Sequence, residues 1–261
     1  MIDAVALDLS YQKRSLGVLC DMDLSDPTRA VTATLDGTVL AVLAVAGRPL
    51  TVGQVARQAV RGSEIGIRRS LARLVEQGIV RATWMGRNQV HELNREHVAA
   101  EVAVLLAGLR SELWRRLREE LGSWRVRPLY AGVFGSAARG DGDVDSDIDL
   151  LLVHPPFVGE SQPDTAEPAS SPSVVEAVDS AVLSSGEPDP ALQWQAQTDR
   201  LRGLVLAWTG NPLQIVDLSF RDWRRPPTQY QPLLDEVRRE GVQILAVPGP
   251  MARPSVTTVD A

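Results

Sequence analysis

Apolar and polar residues in the first half of the chain follow the order helix, helix, helix, strand, strand. Apolar residues cluster at positions 39–45, and Gly-Arg-Pro at 47–49 interrupts them, which predicts one short buried helix. Thr51 can cap a second helix over 52–60, because its hydroxyl can accept a hydrogen bond from a main-chain N–H. The pattern therefore predicts two short helices in succession.

The third predicted helix has the clearest amphipathic pattern. Ser63 can cap its first turn, and Gly78 ends it. Its apolar face follows the spacing i, i+4, i+7 and i+8, at Ile67, Leu71, Leu74 and Val75. Two β-prone runs, 79–84 and 89–93, then flank a turn that contains glycine, as in a hairpin. Three helices and a hairpin predict a winged helix-turn-helix unit at residues 36–95.

Apolar positions at helical spacing continue from Glu96 to Leu121, for about seven turns, and predict one connecting helix within 96–125. Beyond it, apolar runs indicate strands, and amphipathic segments indicate helices. The strands are predicted at 129–134, 148–153, 213–218 and 242–246, and the helices at 191–208 and 231–240. The predicted fold class is α+β, with an N-terminal winged helix, a long connecting helix and a C-terminal α/β domain at 126–247.

Three segments show no clear core element. Residues 155–189 contain seven acidic residues, six prolines and seven serines but no lysine or arginine, so we expect a disordered acidic insertion. Residues 1–35 form an N-terminal extension without a clear pattern, and residues 248–261 form a loose tail.

Composition excludes several classes of protein. A single cysteine, Cys20, permits no internal disulfide and fits a reducing compartment. No run approaches the roughly 18 apolar residues of a membrane-spanning helix, and Asp3 and Asp8 interrupt any signal-peptide pattern. We therefore expect a cytoplasmic protein with no membrane partner.

The net charge of −6 conceals a basic segment, because residues 37–95 carry nine arginines against three glutamates. On the third predicted helix, Arg68, Arg69 and Arg73 point away from the apolar face, and Arg87 lies at the tip of the hairpin. Arginines placed in this way can neutralise phosphates or bind guanine edges. The sequence predicts that these four residues bind DNA or RNA, and a protein-docking surface is the alternative.

This segment resembles bacterial winged-helix regulators of the ArsR and MarR type over about residues 37–94. The resemblance is weaker in motif than the one described below. A homodimer is expected only by analogy with such regulators.

The segment 134–153 reads FGSAARGDGDVDSDIDLLLV and partly matches several ligand-binding motifs. A phosphate-binding P-loop is excluded, because Asp141 stands where a lysine should follow Gly140. A calcium-binding loop is excluded, because Ser146 and Leu152 stand where it needs glycine and glutamate. What remains is Gly-Ser after one strand and, ten residues later, Asp-x-Asp at the start of another.

Asp147 and Asp149 are two residues apart on a predicted strand, so their carboxylates share a face at about 6–7 Å and can hold one or two hard cations. Mg²⁺ binds such carboxylates together with substrate phosphates. A tight turn at Gly135 and Ser136 can present N–H groups and a hydroxyl to a triphosphate. Asp217 is the candidate third carboxylate, unless it is an edge-strand residue facing water. The alternative for the pair is a solvated acidic loop.

This region closely resembles the minimal nucleotidyltransferases of the DNA polymerase β superfamily. The resemblance rests on GSAARGD at 135–141 and SDIDLL at 146–151, and it extends over about 127–246 with the acidic insertion as an interruption. It implies that the protein transfers a nucleoside monophosphate from an NTP, such as ATP, to a hydroxyl and releases pyrophosphate.

The resemblance also implies roles for individual residues. Asp147 and Asp149 would bind two Mg²⁺ or Mn²⁺ ions, and Asp217 would complete the metal site and activate the attacking hydroxyl. Nucleotide contacts are implied for Gly135, Ser136, Arg139 and Ser146, with Arg139 either contacting phosphate or bracing the loop. Acceptors in the family include a partner toxin protein, tRNA ends and aminoglycosides. The HEPN-type toxin domain that often accompanies such enzymes is not visible in this sequence.

Two functions are therefore compatible with the sequence. The first is a nucleotidyltransferase that carries a DNA-binding winged helix, and the alternative is a winged-helix regulator whose nucleotidyltransferase-like domain senses nucleotide or acts as a scaffold. A sensor need not retain three carboxylates and the serine, and the sequence contains all four residues, which favours the enzyme. That preference requires Asp217 to lie within reach of Asp147 and Asp149.

Overall fold

A computed structural model describes residues 21–157 and 189–246 of the chain. Most of the predicted acidic insertion, the predicted tail and residues 1–20 of the predicted extension lie outside the described residues. No helix in the described part is both long enough and apolar enough to cross a membrane.

The helical unit, residues 36–107, contains four helices and a three-stranded antiparallel sheet. Its first elements are α1 (Asp36–Val45), β1 (Leu50–Thr51), α2 (Val52–Gln58), α3 (Glu64–Glu76), β2 (Val80–Met85) and β3 (Asn88–Leu93). The strand order is β1-β3-β2. The predicted positions of the three helices and of the hairpin are confirmed to within a few residues.

Side-chain caps and one buried cluster explain these elements. Thr51 Oγ1 accepts from Gln54 N, and the Gln54 side chain accepts from Thr51 N, which forms a capping box at the start of α2. Ser63 Oγ accepts from Gly66 N at 3.2 Å at the start of α3. The core includes Val39, Leu43, Leu50, Val55, Ile67 and Leu71.

The prediction of a single connecting helix is wrong. Two helices, α4 (Ala100–Ala107) and α5 (Leu109–Ser123), are separated by Gly108. Glycine has a low helix propensity, and the two helices bury different faces. Helix α4 packs on the rest of the helical unit through residues such as Ala103, whereas Leu105 of the predicted apolar face is exposed.

The sheet unit, residues 109–246, places helices on both faces of a four-stranded sheet. After α5, its elements are β4 (Tyr130–Phe134), α6 (Gly135–Arg139), β5 (Ile148–His154), α7 (Pro190–Thr209), β6 (Leu213–Ser219), α8 (Phe220–Arg224), α9 (Gln231–Glu240) and β7 (Val242–Ala246). The strand order is β6-β5-β4-β7, and only the β5–β6 pair among them is parallel. Helices α5 and α7 cover one face, and α9 covers the other.

Alternation along β5 assigns each of its side chains to one of these faces. The cluster with α5 and α7 includes Ile148, Leu150 and Leu152, and the cluster with α9 includes Leu151 and Val153. Asp149 therefore lies on the α9 face of the sheet. Asp147, two residues earlier, follows the same alternation.

The joining segment, residues 21–35, is the described part of the predicted extension and contacts both units. Leu24 is buried in the core of the sheet unit, and Met22 N donates to Asn211 Oδ1 at 3.1 Å. Asp26 is 3% exposed and accepts hydrogen bonds from Thr38 and Arg61 of the helical unit. These partners are distant in sequence, so no local pattern predicts the structure of this segment.

Candidate active site at the sheet edge

The turn from β4 into α6 lies directly against Asp149. Phe134, the last residue of β4, pairs with Asp149, and Gly135 follows with a φ of +67°. A β-carbon at Gly135 would overlap Asp149 Oδ2. Both the left-handed backbone and this close approach therefore require glycine at position 135.

The loop after α6 folds back over Ser136. Gly140 has a φ of +77° and ends α6, and the N–H groups of Gly140 and Asp141 donate to the main-chain oxygen of Ser136. A β-carbon at Gly142 would lie 3.1 Å from Ser136 Oγ, so the loop passes close to this hydroxyl. Ser136 is half-buried, and its hydroxyl has no hydrogen-bond partner among the described residues. The hydroxyl can therefore bind a ligand.

Asp147 and Asp149 are half-buried, and neither forms an ion pair with a residue that the structure describes. Burial raises the pKa of Asp149 to about 6, and the charges of Asp147 and Glu236 act in the same direction, whereas Arg139 opposes them. Gln214 Nε2 donates to Asp147 Oδ2 at 3.4 Å. The surroundings thus disfavour the charge on Asp149, and a bound cation would offset this cost.

Arg139 braces the loop against α9. Its guanidinium forms ion pairs with Asp141 at 3.0 Å, Glu236 at 3.1 Å and Glu240 at 3.0 Å. The hydrogen bonds that Arg139 donates to Asp141 and Glu240 raise its pKa above the ordinary value. Of the two roles that the sequence left open, the structure therefore supports bracing, because three acids already engage the charge.

Ser146 is held inside the loop. Its Oγ donates to Asp143 Oδ1 at 2.8 Å and accepts from Asp143 N at 2.9 Å. Its main-chain oxygen accepts from the buried Asn211 side chain at 3.0 Å. Ser146 therefore shapes the loop, and its contact with nucleotide stays a prediction.

The prediction that Asp217 joins the acidic pair is wrong. In the parallel β5–β6 register, Asp217 is the partner of Leu152, and Gln214 is the partner of Asp149. Partners in a ladder share a face, so Asp217 lies on the face opposite to Asp149 and about 10 Å further along the strand. Its carboxylate accepts from the buried Trp194 Nε1 at 2.7 Å. Asp217 is the exposed edge-strand residue that the sequence left as the alternative.

Arg73 is bound within the helical unit. Its Nε donates to Asp36 Oδ2 at 3.0 Å, and its Nη2 donates to the other carboxylate oxygen. Ser70 Oγ donates to Asp36 Oδ1 at 2.5 Å. Burial of Asp36 opposes its charge, but these donors keep its pKa below the ordinary value. Arg73 therefore fixes α3 to α1, and its contact with nucleic acid stays a prediction.

The other three predicted arginines lie on the surface. Arg68 pairs with Glu64 one turn earlier, at 3.2 Å. Arg69 and Arg87 are exposed and form no ion pair with a described residue. Their contact with nucleic acid stays a prediction, as does that of Arg68.

Two side chains near the site were not identified from the sequence. Gln214 has no motif, and only counting the β5–β6 register places it beside the acidic pair. Arg110, at the start of α5, donates to the main-chain oxygen of Leu24 at 2.6 Å, and a β-carbon at Gly140 would overlap its guanidinium. Burial lowers the pKa of Arg110. Arg110 thus connects α5, the joining segment and the loop of the site.

The acidic pair offers two carboxylates to a hard cation. Two carboxylates on one face of a strand suit a single oxygen-seeking cation that also binds phosphate oxygens. Within the described ranges, no group of three or more His, Cys, Asp or Glu side chains is arranged to hold a metal ion. Strand β6 supplies Gln214 at the position where a third carboxylate would complete a two-cation site.

Three solved structures are similar to parts of the chain. A toxin–antitoxin with AMP-PNP matches 51% of this chain and 73% of its own, at 14% identity and a TM-score of 0.28. A candidate nucleotidyltransferase from Sulfolobus solfataricus matches 52% and 82%, at 14% identity and a TM-score of 0.26. Human N-acetylserotonin methyltransferase in complex with SAM matches 46% and 34%, at 18% identity and a TM-score of 0.23. TM-scores below 0.5 carry no argument about fold or function.

A family match covers part of the sheet unit. No curated protein matches the chain. Residues 110–186 match the nucleotidyltransferase domain family, a range that includes β4, α6 and β5 and ends before β6. The segment that carries Gly135, Ser136, Asp147 and Asp149 is thus similar to a nucleotidyltransferase domain, which supports a transferase.

Proposed function

We propose that this chain binds a nucleoside triphosphate at the turn of Gly135 and Ser136 and transfers its nucleoside monophosphate to a hydroxyl group. The position of Asp149 carries the proposal. This carboxylate is half-buried, has no ion-pair partner among the described residues and lies against the main chain of Gly135. A charge in such a place destabilises the fold unless a ligand offsets it. The family match over the same residues supports this assignment.

In this proposal, Asp147 and Asp149 would hold divalent metal, Mg²⁺ or Mn²⁺, which when bound would neutralise phosphate charge. The Ser136 hydroxyl and the main-chain N–H groups of the turn donate to phosphate oxygens. The acceptor oxygen forms a bond to the α-phosphorus, the bond from this phosphorus to the pyrophosphate oxygen breaks and pyrophosphate leaves, and the hydroxyl proton passes to solvent water. Arg139 keeps the loop in place through its ion pairs with α9.

The test is transfer of label from α-labelled NTPs in the presence of Mg²⁺ and cell extract. Asp147→Ala and Asp149→Ala should each reduce labelling by about 100-fold or more, as is typical when a charge that positions phosphate is removed. Asp145→Ala is the matched control, because this exposed acid lies in the same loop. Labelling that persists in both site variants would refute the assignment.

We also propose that the helical unit is a winged helix that binds DNA or RNA through Arg69 and Arg87. Both side chains are exposed without an ion-pair partner in the described part of the chain, on α3 and on the β2–β3 turn. Affinity measured against salt should fall steeply, and Arg69→Ala and Arg87→Ala should each reduce the slope by about one. Arg73→Ala is the control, because it removes an arginine of α3 whose contact lies within the helical unit. A flat salt dependence would indicate a protein-docking surface.

The acceptor is identified by where the label appears. Nucleic acid recruited by the helical unit and a protein partner, such as a toxin of the HEPN type, both offer hydroxyl groups. Nuclease treatment removes the label in the first case, and protease treatment removes it in the second.

A second function is favoured by one observation, the position of Asp217 on the opposite face from Asp149. In this alternative, the nucleotide is bound and sensed, and the helical unit acts as a regulator. It requires nucleotide binding without label transfer, together with a change in nucleic-acid affinity when NTP is added.

A further inference from the structure

Gln214 occupies the place beside the acidic pair where a third carboxylate would lie. Strand β6 runs parallel to β5, and residue 214 is the partner of Asp149. The side chain faces the pair, because its Nε2 lies 3.4 Å from Asp147 Oδ2. Strand β6 contains one acid, Asp217, and this acid is on the other face.

A glutamine amide cannot replace a carboxylate as a cation ligand at this position. It has no charge, and its N–H group already donates to Asp147. Two cations about 3.5–4 Å apart repel each other, and the carboxylates around them must offset that repulsion. This site offers only the two carboxylates of the acidic pair among the described residues. The charge of a third acid, Glu236, also acts on Asp149, but Glu236 forms an ion pair with Arg139 at 3.1 Å.

We propose that the nucleotide site of this chain binds one divalent cation, the one that accompanies the triphosphate, and that Gln214 excludes a second. The inference rests on the proposed function, because it concerns the same site. Gln214→Glu preserves the length of the side chain and replaces the N–H donor by a carboxylate oxygen. This single change supplies the third carboxylate and creates the second cation site.

The test counts Mn²⁺ bound to the full chain by electron paramagnetic resonance. Saturating α,β-methylene analogues of the four NTPs are present, since these cannot be cleaved at the transferring bond. The unmodified chain should bind one Mn²⁺ and Gln214→Glu should bind two. Asp217→Asn, the matched control on the same strand but the opposite face, should still bind one. Gln214→Asp is the second variant if Gln214→Glu does not fold.

The outcomes distinguish a failure of the one-cation inference from a failure of the proposed function on which it rests. Two Mn²⁺ on the unmodified chain would overturn the inference and leave the proposed function standing. One Mn²⁺ on folded Gln214→Glu and Gln214→Asp would also overturn it, because Gln214 would then not determine the number of cations. If the unmodified chain bound neither Mn²⁺ nor any analogue, the proposed function itself would fail.

Discussion

The acidic pair and the basic face of α3 are the two charged features that the sequence predicts to bind ligands. They differ in whether neighbouring side chains neutralise their charges. Asp147 and Asp149 are half-buried without an ion-pair partner among the described residues. Arg73 is bound to Asp36, and Arg68 is paired with Glu64. A charge that the fold leaves uncompensated indicates a ligand, whereas a charge that neighbours neutralise belongs to the structure. The following changes test this distinction.

The largest effect is expected from Gly135→Ala. A β-carbon would overlap Asp149 Oδ2, and the φ of +67° is strained for alanine, so the free energy of unfolding should fall by about 2–4 kcal/mol. Gly86→Ala is the matched control, because Gly86 has a similar φ of +62° but no atom within 4 Å of the added carbon. It should cost only about 1 kcal/mol. Urea denaturation measures both, and equal losses would contradict the contact with Asp149.

A smaller effect is expected from Asp36→Ala. The change leaves the donors of Arg73 and Ser70 without their acceptor, so the unfolding free energy should fall by about 1–3 kcal/mol. The released Arg73 should also strengthen nucleic-acid binding. Glu64→Ala, which removes the exposed partner of Arg68, should change stability by less than about 0.5 kcal/mol. If the two variants were equally stable, the pairing of Arg73 would be as unimportant as that of Arg68.

The smallest effect is a gain in stability from Asp149→Asn. Folding raises the pKa of Asp149 from 3.8 to about 6, so it favours the protonated form. The stabilisation from protonation is complete below pH 3.8 and is lost as the pH rises through 6. At pH 7.5 with a chelator, the neutral variant should be more stable by on the order of 1 kcal/mol after solvent screening, or about 2–4 °C in Tm.

The gain from Asp149→Asn should shrink towards pH 4, because the native carboxyl is then protonated as well. Asp145→Asn, at an exposed position in the same loop, is the control and should leave Tm unchanged. A loss of stability in Asp149→Asn at pH 7.5 would show that the charge is compensated in the apo protein, as at Asp36.

Local signals predicted much of this fold. The caps at Thr51 and Ser63 and the spacing of Ile67 and Leu71 identify α2 and α3, because helix starts and amphipathic faces depend on neighbours within one or two turns. The same holds for Gly135, whose turn follows directly from the end of a buried strand.

The errors arose where the result depends on register or on distant partners. The acid in the run Ile-Val-Asp-Leu was assigned to the site, but the parallel pairing of β5 with β6 brings Gln214 to that position and sends Asp217 to the other face. A one-residue change of register reverses every face along a strand, and composition does not encode it. The pairing of Arg73 with Asp36 was not predicted either, because Asp36 lies 37 residues earlier in the sequence.

The joining segment has a consequence for the order of biosynthesis. Met22 contacts Asn211, which follows it by 189 residues, and Leu24 completes a core that includes α7. At a translation rate of about 5–20 residues per second, the ribosome needs roughly 10–40 s to deliver those partners after the segment has been made. During that interval the apolar Leu24 side chain lacks its core partners in α7. Closing such a long loop also slows folding. Nascent chains should therefore depend on chaperones longer than the small size of either unit suggests.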